Sequence, residues 1–149
     1  MDENSFIFLP FLFCILILTD HSYALCVNAS EANLRSGAGA GYRKTWEVFT
    51  YMPFKKLAVK GNWYKVRDVD GDIHWIYNKL VTNKFRCAVV KTDKASVRSG
   101  PGTGYSRNSL SPAMRYASFK VIEMTSSWVK VKDEFGDHGW IARKLLWIQ

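Results

Sequence analysis

The side chains that could carry out chemistry are few, and they lie far apart along the chain. Of the three histidines, His74 and His138 come after the first 24 residues. Ser127 and Lys130 match the SxxK pattern of certain acyl-transfer enzymes, but they begin a predicted strand, where the helix that would align them is missing. Because no nucleophile, base and orienting group can be assembled, the sequence predicts no catalytic residue and a protein that is not an enzyme.

Three alternating aspartates raise the question of a calcium site. They are Asp68, Asp70 and Asp72, with Gly71 between the last two. A calcium-binding EF-hand loop needs glycine at its sixth position and glutamate at its twelfth, whereas this segment has glycine at its fourth. The spacing favours a solvated hairpin tip with a type I′ turn at Asp70-Gly71. The sequence therefore predicts no metal and no cofactor.

The cysteines indicate an oxidising compartment. Cys14 lies in an apolar N-terminal run, which leaves Cys26 and Cys87 as the pair in the rest of the chain. Neither has a CxxC partner or a neighbouring histidine, which argues against a redox or nucleophilic role. The sequence predicts a structural disulfide between Cys26 and Cys87, since a single cysteine pair in an exported chain favours one.

The first 24 residues differ in kind from the rest. Residues 6–19 are almost continuously apolar, but a membrane span needs about 20 such residues. Small residues at and before Ala24 match a signal-peptidase site, so residues 1–24 are predicted to be a signal peptide cleaved after Ala24. The chain is then periplasmic or secreted, with no stable transmembrane segment. The first residues are acidic rather than basic, which leaves open an uncleaved segment that anchors the chain to the membrane.

The charge is strongly positive. The chain has 21 basic and 13 acidic residues, a net charge of +8. All of the basic residues and 10 of the acidic ones lie after residue 24, so that part of the chain carries 21 − 10 = +11. Such a field favours polyanionic partners, such as anionic lipids or acidic wall polymers. Export argues against nucleic acid, and the even spread of the basic residues leaves open a basic surface with no specific ligand.

Most of the chain is a tandem repeat. Residues 33–42 (NLRSGAGAGY) return 63 positions later as residues 96–105 (SVRSGPGTGY). The segment 63–66 (WYKV) then returns at 128–131 (WVKV), at an offset of 65. Each unit of about 60 residues is large enough to be a small domain. Duplication of a small domain, with no catalytic-sized domain beside it, favours binding over catalysis.

Each repeat has the pattern of short strands. Apolar and basic residues alternate in the segment 128–132, which is the period of a half-buried strand, and turn residues recur every 8–12 positions. Around five short strands with such turns predict a small all-β barrel. The residues expected in the two cores are Trp63, Val66, Trp75, Ile76 and Leu80, and Trp128, Val131, Trp140, Ile141 and Leu145.

These motifs resemble the bacterial SH3-like (SH3b) domain, here in tandem. They are L/V-R-S-G-x-G-x-G-Y, then W-x-K-V, then an aspartate-glycine turn, then W-I-x-x-K-L. The resemblance implies an all-β fold of two SH3-like barrels, at residues 25–84 and 85–149, as in small secreted two-domain proteins of Gram-negative bacteria. It also implies a non-catalytic module, several relatives of which bind peptidoglycan or its peptide stems. Ala38 and His74 depart from the family pattern, where proline and glycine are usual.

Aromatic and histidine side chains at the rim of each barrel are the candidate ligand contacts. Trp46 is either a groove residue or is packed against the other repeat or under the loop. Its counterpart at the 63-residue offset is Ser109, so the shared core does not require an aromatic residue there. Tyr42 and Tyr105 occupy the same position in the two repeats, which favours a structural role for both. The full candidate groove set is Tyr42, Trp46, Tyr51, Tyr64, His74, Tyr105, Tyr116 and His138.

The function predicted from the sequence is that of an exported, monomeric binding protein. Its expected partner is a cell-wall polymer or a peptide or protein ligand, with peptidoglycan or its peptide stems as the leading candidate and no nucleic acid. Two modules on one chain would raise avidity for a polymer. The alternative is a periplasmic protein–protein adaptor or regulator, in which one barrel docks a partner and the other is scaffold.

Overall fold

The computed structural model describes residues 24–149. The predicted signal peptide, apart from Ala24, lies outside the described residues, as does Cys14. Within residues 24–149, no helix has the length and apolar character that crossing a membrane requires.

The described chain is built from β-strands and two short 3₁₀ turns, which confirms the predicted all-β class. We call the part that contains the first seven strands the first repeat and the rest the second repeat. The first repeat contains β1 (Ala24–Val27), β2 (Glu31–Arg35), β3 (Lys44–Phe49), β4 (Pro53–Lys60), β5 (Trp63–Arg67), β6 (Ile73–Tyr77) and β7 (Val81–Thr82). The second repeat contains β8 (Cys87–Val90), β9 (Lys94–Ala95), β10 (Ala113–Met114), β11 (Ser118–Met124), β12 (Trp128–Lys132), β13 (His138–Ala142) and β14 (Leu146–Ile148).

Strands pair antiparallel, and the pairing scheme is shared by the two repeats. The first repeat forms one sheet in the order β3-β2-β6-β5-β4-β1-β7. The second forms a sheet in the order β13-β12-β11-β8-β14 and a separate β9–β10 ladder. The Arg98–Trp140 bridge takes the place of the Arg35–Trp75 pair that joins β2 to β6. Within the described residues the ladders do not close on themselves, so the predicted barrels are open sheets.

Each repeat encloses its own core of mostly aliphatic side chains. Val66 and Ile76 in the first repeat, and Val131 and Ile141 in the second, are fully buried as predicted. Burying one such side chain stabilises a fold by about 1.5–3 kcal/mol. The other large and fully buried side chains are Val27, Leu34, Val48 and Phe54 in the first repeat and Val89, Val90, Val97 and Val129 in the second.

The tryptophans predicted to fill these cores do not do so. Trp63, Trp75, Trp128 and Trp140 are half-buried. Successive side chains of a strand point to opposite faces, so a residue three positions or one position from a core residue faces away from that core. Trp63 lies three positions before a core valine, and Trp75 directly precedes a core isoleucine. The alternation therefore places the tryptophans on the outer face of the sheet.

The hairpin between β5 and β6 is closed by an aspartate side chain rather than by a type I′ turn. Asp68 Oδ1 accepts the backbone N–H groups of Asp70 and Asp72 at 3.0 and 2.8 Å. Gly71 has a φ of +86°, but Asp70 is not among the residues with positive φ, which a type I′ turn would require. In the second repeat Asp133 accepts two N–H groups in the same way. The same capping sets the loop in both repeats, but Asp68 is buried and Asp133 is half-buried, and Asp68 also accepts a hydrogen bond from His74.

The predicted disulfide between Cys26 and Cys87 is confirmed, with Cα atoms 5.9 Å apart. It joins β1 of the first repeat to β8 of the second. Val89 and Trp147 of the second repeat also pack against the core of the first. The two repeats therefore share a covalent link and an apolar contact.

Candidate functional site

The first repeat has a groove on the outer face of its sheet, with a volume of about 490 Å³. Trp63 at the start of β5 and Arg35 at the end of β2 lie on its walls, because strand alternation turns both away from the core. We call this cavity the first groove. Its lining residues are Glu31, Ala32, Asn33, Arg35, Ala40, Trp63, Tyr77 and Leu80.

The second repeat has a groove of about 520 Å³ at the equivalent place. Each of the eight residues lining the first groove has its repeat counterpart in the lining of this second groove. The counterparts, in the same order, are Lys94, Ala95, Ser96, Arg98, Thr103, Trp128, Ala142 and Leu145. Arg107, Ser111, Pro112 and Lys144 complete the second groove. Two cavities at equivalent positions, with alanine, arginine, tryptophan and leucine in common, are the candidate functional site.

The glycine-rich loop holds one side of each groove. Arg35 Nη1 donates to the carbonyl of Tyr42 at 2.9 Å, and Arg98 Nη1 donates to that of Tyr105 at 2.8 Å. The tyrosine ring lies so close to Gly37, or to Gly100 in the second repeat, that a Cβ atom there would collide with it. The shared R-S-G-x-G-x-G-Y motif is therefore a folded loop that carries Ala40 or Thr103 to the groove edge.

The tryptophan has different surroundings in the two grooves. In the first groove, the rings of Trp63 and Tyr77 lie against each other, with centroids 5.7 Å apart and planes at 49°. In the second groove, Ala142 stands at the tyrosine position, and a further cavity of about 520 Å³ adjoins Trp128. The first groove thus presents a pair of aromatic rings, and the second presents a single indole with open space beside it.

None of the eight predicted groove residues lines either groove. Tyr64 lines a smaller cavity of about 240 Å³. Tyr42 and Tyr105 are half exposed, at 51% each, and pack on their glycine loops. His138 is exposed, and its backbone carbonyl accepts the side-chain N–H of Asn108 at 2.9 Å. The remaining four candidates lie where the two repeats meet or in the first repeat behind that contact.

His74 belongs to a buried polar chain. The residue is 7% exposed, and its Nε2 donates to Oδ2 of Asp68 at 2.8 Å. Its Nδ1 lies 2.7 Å from the hydroxyl of Thr45. A hydroxyl, an imidazole and a carboxylate are therefore aligned, although the sequence offered no such set. None of the three residues lines a groove, and their hydrogen bonds satisfy polar groups that are buried in the fold.

Trp46 packs against the second repeat, which is one of the alternatives left open for it. Its ring meets that of Tyr116 edge-on, with centroids 5.3 Å apart, and lies 6.2 Å from that of His74. The Tyr116 hydroxyl donates to Oδ2 of Asp70 at 2.7 Å. This hydrogen bond is the main cause that raises the pKa of Tyr116 above its ordinary value. These residues form a contact between the repeats.

Tyr51 and Tyr116 occupy the same turn in the two repeats. Both have a φ of +70°, which is unusual for a residue with a side chain. The backbone N–H of Tyr51 donates to the carbonyl of Val27. The N–H of Tyr116 donates to the carbonyl of Val90, which is the counterpart of Val27 in the second repeat. The Tyr51 ring meets the ring of Phe85 edge-on at 5.7 Å. Both tyrosines thus pack at or near the junction of the repeats.

The aspartate turn brings three carboxylates together. Ligand atoms of Asp68, Asp70 and Asp72 lie within 4.8 Å of one another. Both oxygens of Asp68 are taken by hydrogen bonds, and one oxygen of Asp70 accepts the Tyr116 hydroxyl. These contacts assign the Asp68 carboxylate to the turn and the Asp70 carboxylate to the contact between the repeats, and Asp72 contributes its backbone N–H to the turn.

A signal for the true groove was present in the sequence. Arg35, Trp63 and Leu80 each return in the second repeat as the same residue type, at Arg98, Trp128 and Leu145. Strand alternation applied strictly to β5 and β12 would have turned the tryptophans outward. The convergence of these residues from separate strands could not be obtained without the tertiary structure.

Several known proteins are similar to this chain. The curated protein named "Putative N-acetylmuramoyl-L-alanine amidase YrvJ", from Bacillus subtilis (strain 168), is 29% identical over 126 residues. The match covers 78% of this chain and 24% of that protein, so the chain spans about a quarter of that relative's length.

Among solved structures, the chain is similar to an NlpC/P60 family protein from Bacillus cereus, with 11% identity and a TM-score of 0.38, over 85% of this chain and 56% of that one. It is also similar to a structure described as "Endolysin LysPBC5 CBD", with 14% identity and a TM-score of 0.35, over 85% and 93%. Both TM-scores lie below 0.5, too low to bear on the site.

A family model settles the classification. The model described as "Bacterial SH3 domain" matches residues 28–83 and residues 91–147. Each segment contains one complete groove, and the two together make up most of the chain. The chain therefore belongs to the bacterial SH3 domain family, with two copies of the domain in tandem.

Proposed function

We propose that this protein attaches to cell-wall peptidoglycan, or to its peptide stems, through the two equivalent grooves. The observation that carries the proposal is the recurrence of one lining set, alanine, arginine, tryptophan and leucine, around a cavity of similar volume in each repeat. Small-ligand sites are concave and largely apolar, with a few polar groups that fix orientation. We therefore assign ligand binding to these groove residues rather than to the predicted candidates that lie at the contact between the repeats.

The groove tryptophans suit a role as ligand contacts. Trp63 and Trp128 are half-buried on the outer faces of their sheets and are not needed to fill a core. A tryptophan offers a large apolar area with few rotatable bonds, which reduces the entropic cost of binding. The neighbouring Arg35 and Arg98 are fixed by hydrogen bonds to the glycine loops, so the groove edge is ordered before the ligand arrives.

The family and the charge support a cell-envelope ligand. The amidase relative is named for a bond of peptidoglycan, and the matched part is about a quarter of that protein. A module of this family is in keeping with attachment of the chain to the same polymer. The net charge of +8 adds a general attraction to anionic envelopes, and the Cys26–Cys87 bond agrees with an exported protein. We propose on these grounds that the protein is located outside the cytoplasm.

Sedimentation with purified peptidoglycan sacculi tests the proposal. The full-length chain is incubated with sacculi at low and high salt, beside the variants Trp63→Ala, Trp128→Ala and the double variant. Each single variant should weaken retention about tenfold, and the double variant should weaken it more, because two modules on one polymer bind with avidity. Phe135→Ala is the matched control, since Phe135 is 83% exposed and lies outside both grooves.

Three results would contradict the proposal. Retention that vanishes at high salt would reduce the binding to general charge attraction, which is screened over about 10 Å at 0.1 M salt. Retention that persists in the double variant would move the site away from the grooves. No retention at either salt would leave the adaptor hypothesis in the lead. Circular dichroism of each variant confirms that the fold is intact.

A further inference from the structure

We propose that the second groove is specific for a peptide segment that carries a carboxylate, whereas the first groove takes an uncharged segment. This inference rests on the proposed function, because it names the ligand chemistry of the same two grooves. It follows from a difference in charge between two cavities that are otherwise equivalent.

The second groove is lined by cations and by no acidic residue. Its charged lining residues are Lys94, Arg98, Arg107 and Lys144. Arg98 is held by the glycine loop, but the side chains of Lys94, Arg107 and Lys144 have no acidic partner among the described residues. Four cations in one cavity with no acidic lining residue favour an anionic ligand, since its binding would relieve their mutual repulsion.

The first groove carries less positive charge than the second. Lys79, the counterpart of Lys144, is also a lysine, but it lies outside the lining of the first groove. Glu31 stands where the second groove has Lys94, so its charged lining is one acid and one arginine. Lys44 pairs with Arg35 across β2 and β3, as Arg107 pairs with Arg98. The Lys44 ammonium is bound to Glu47 at 2.6 Å, whereas the 63-residue offset places Leu110 opposite Glu47. Two acidic residues thus balance the first groove and are missing from the second.

The shape of the second groove fits a short chain with a charged group. Ala142 replaces the tyrosine that packs on Trp63 in the first groove, so the Trp128 indole has an open face. The adjoining cavity of about 520 Å³ shares Trp128 and Lys144 with the groove and adds Arg143. A peptide could lie across the indole while its carboxylate accepts hydrogen bonds from the lysine and arginine side chains. A long polyphosphate chain would instead need a continuous basic stripe, and the cations here surround one cavity.

Two peptides that differ only in charge provide the test. One is acetyl-Ala-Glu-Lys-Ala with free carboxylates, and the other has glutamine for glutamate and a C-terminal amide. Binding to the full-length chain is measured by calorimetry and by the NMR shifts of the Trp63 and Trp128 indole N–H groups. We expect the carboxylate peptide to bind about tenfold more tightly and to shift the Trp128 signal, because hydrogen bonds between charged groups are the strong ones.

Reciprocal charge variants test the assignment to one groove. Lys94→Glu gives the second groove the acid of the first, and should reduce the preference for the carboxylate peptide to threefold or less. Glu31→Lys gives the first groove the cation of the second, and should bring a carboxylate-dependent shift to Trp63. Lys84→Glu is the matched charge control, because Lys84 is exposed and lines neither groove, and it should keep the preference.

Several outcomes would overturn the inference. They are equal affinity for the two peptides, a carboxylate-dependent shift at Trp63 rather than Trp128 in the wild type, and no shift at either tryptophan. Tight binding of a glycerol-phosphate oligomer, with none of the carboxylate peptide, would assign the groove to a phosphate polymer instead. The sacculus sedimentation decides the proposed function separately, because loss of both tryptophans should release the protein whatever charge the second groove selects.

Discussion

The two repeats have the same aspartate turn but different residues six positions after its capping aspartate, His74 in the first repeat and Gly139 in the second. In the first repeat, His74 fills the space between Asp68 and Thr45. In the second, a Cβ atom on Gly139 would lie 2.3 Å from Cγ1 of Val97 and 2.8 Å from Nδ2 of Asn108, which is the counterpart of Thr45. The same fold therefore holds a histidine in one repeat and a glycine in the other, with different neighbouring residues around each.

A second difference separates the face that joins the repeats from the faces that bear the grooves. The first repeat gives Trp46 and Asp70 to the contact with Tyr116, whereas the second repeat has no equivalent partner for Tyr51, which meets Phe85 instead. The grooves keep their arginine, tryptophan and leucine in both repeats. The contact between the repeats is thus made by residues that differ between them, while the arginine, tryptophan and leucine of the grooves are shared.

The largest expected effect comes from removing the disulfide, which encloses the first repeat only. The double variant Cys26→Ser with Cys87→Ser should lose about 4 kcal/mol of unfolding free energy, since the bond closes a loop with a sequence separation of 61. Urea unfolding followed by tryptophan fluorescence measures this loss. Hydrogen exchange should show that amides of the first repeat lose more protection than those of the second.

The wild-type chain in reducing buffer serves as the control for that experiment, and it should match the double variant. A loss of less than about 1 kcal/mol would mean that the packing of Val89 and Trp147 on the first core already holds the chain together without the bond.

Exchanging the residues behind the turn should give the next largest effect. His74→Gly should cost about 3 kcal/mol, because it leaves Oδ2 of the buried Asp68 without a partner and opens a cavity. Gly139→His should cost about 2 kcal/mol, because a Cβ atom at that position meets Val97 and Asn108. Thermal and urea unfolding of the full-length chain measure both changes.

The combination of Gly139→His with Asn108→Thr tests the coupling between these positions. It reproduces the residue pair of the first repeat, so it should recover part of the stability that Gly139→His loses. A Gly139→His variant as stable as the wild type would show that the second repeat can accept the histidine without the compensating change.

The smallest effect concerns the tyrosine that reaches across the contact. The hydrogen bond to Asp70 raises the pKa of Tyr116, so the neutral phenol is favoured in the folded state. Its contribution to stability is therefore fully present below the ordinary tyrosine pKa of about 10, and is lost as the pH rises through the higher value of the folded protein. Ultraviolet titration of wild type and Tyr116→Phe measures it. The wild type should show one tyrosine ionisation that Tyr116→Phe lacks. We expect the midpoint of that ionisation to lie above the ordinary tyrosine pKa, and a midpoint at about pH 10 would contradict the contact.

Much of the fold could be predicted from the sequence because its signals are local. Strand alternation in residues 128–132 and the offsets between the repeats depend on neighbours in the chain, and the observed strands β5 and β12 agree with them. The Cys26–Cys87 pair followed from the number of cysteines. The groove was missed because Trp63 and Trp128 were assigned to the cores, although a position three residues from a core valine faces the other way.

The sequence by itself determined the all-β class, the tandem repeat, the disulfide and the family, since repetition, alternation and residue counts can be obtained from a linear string. Only the tertiary structure decided where the outward-facing residues converge. Arg35, Trp63 and Leu80 come from separate segments and meet in one groove because β6 pairs with β2 on one side and with β5 on the other, and Leu80 lies in the turn after β6. The same holds for Trp46 and Tyr116, which lie in different repeats and meet through packing that no local pattern encodes.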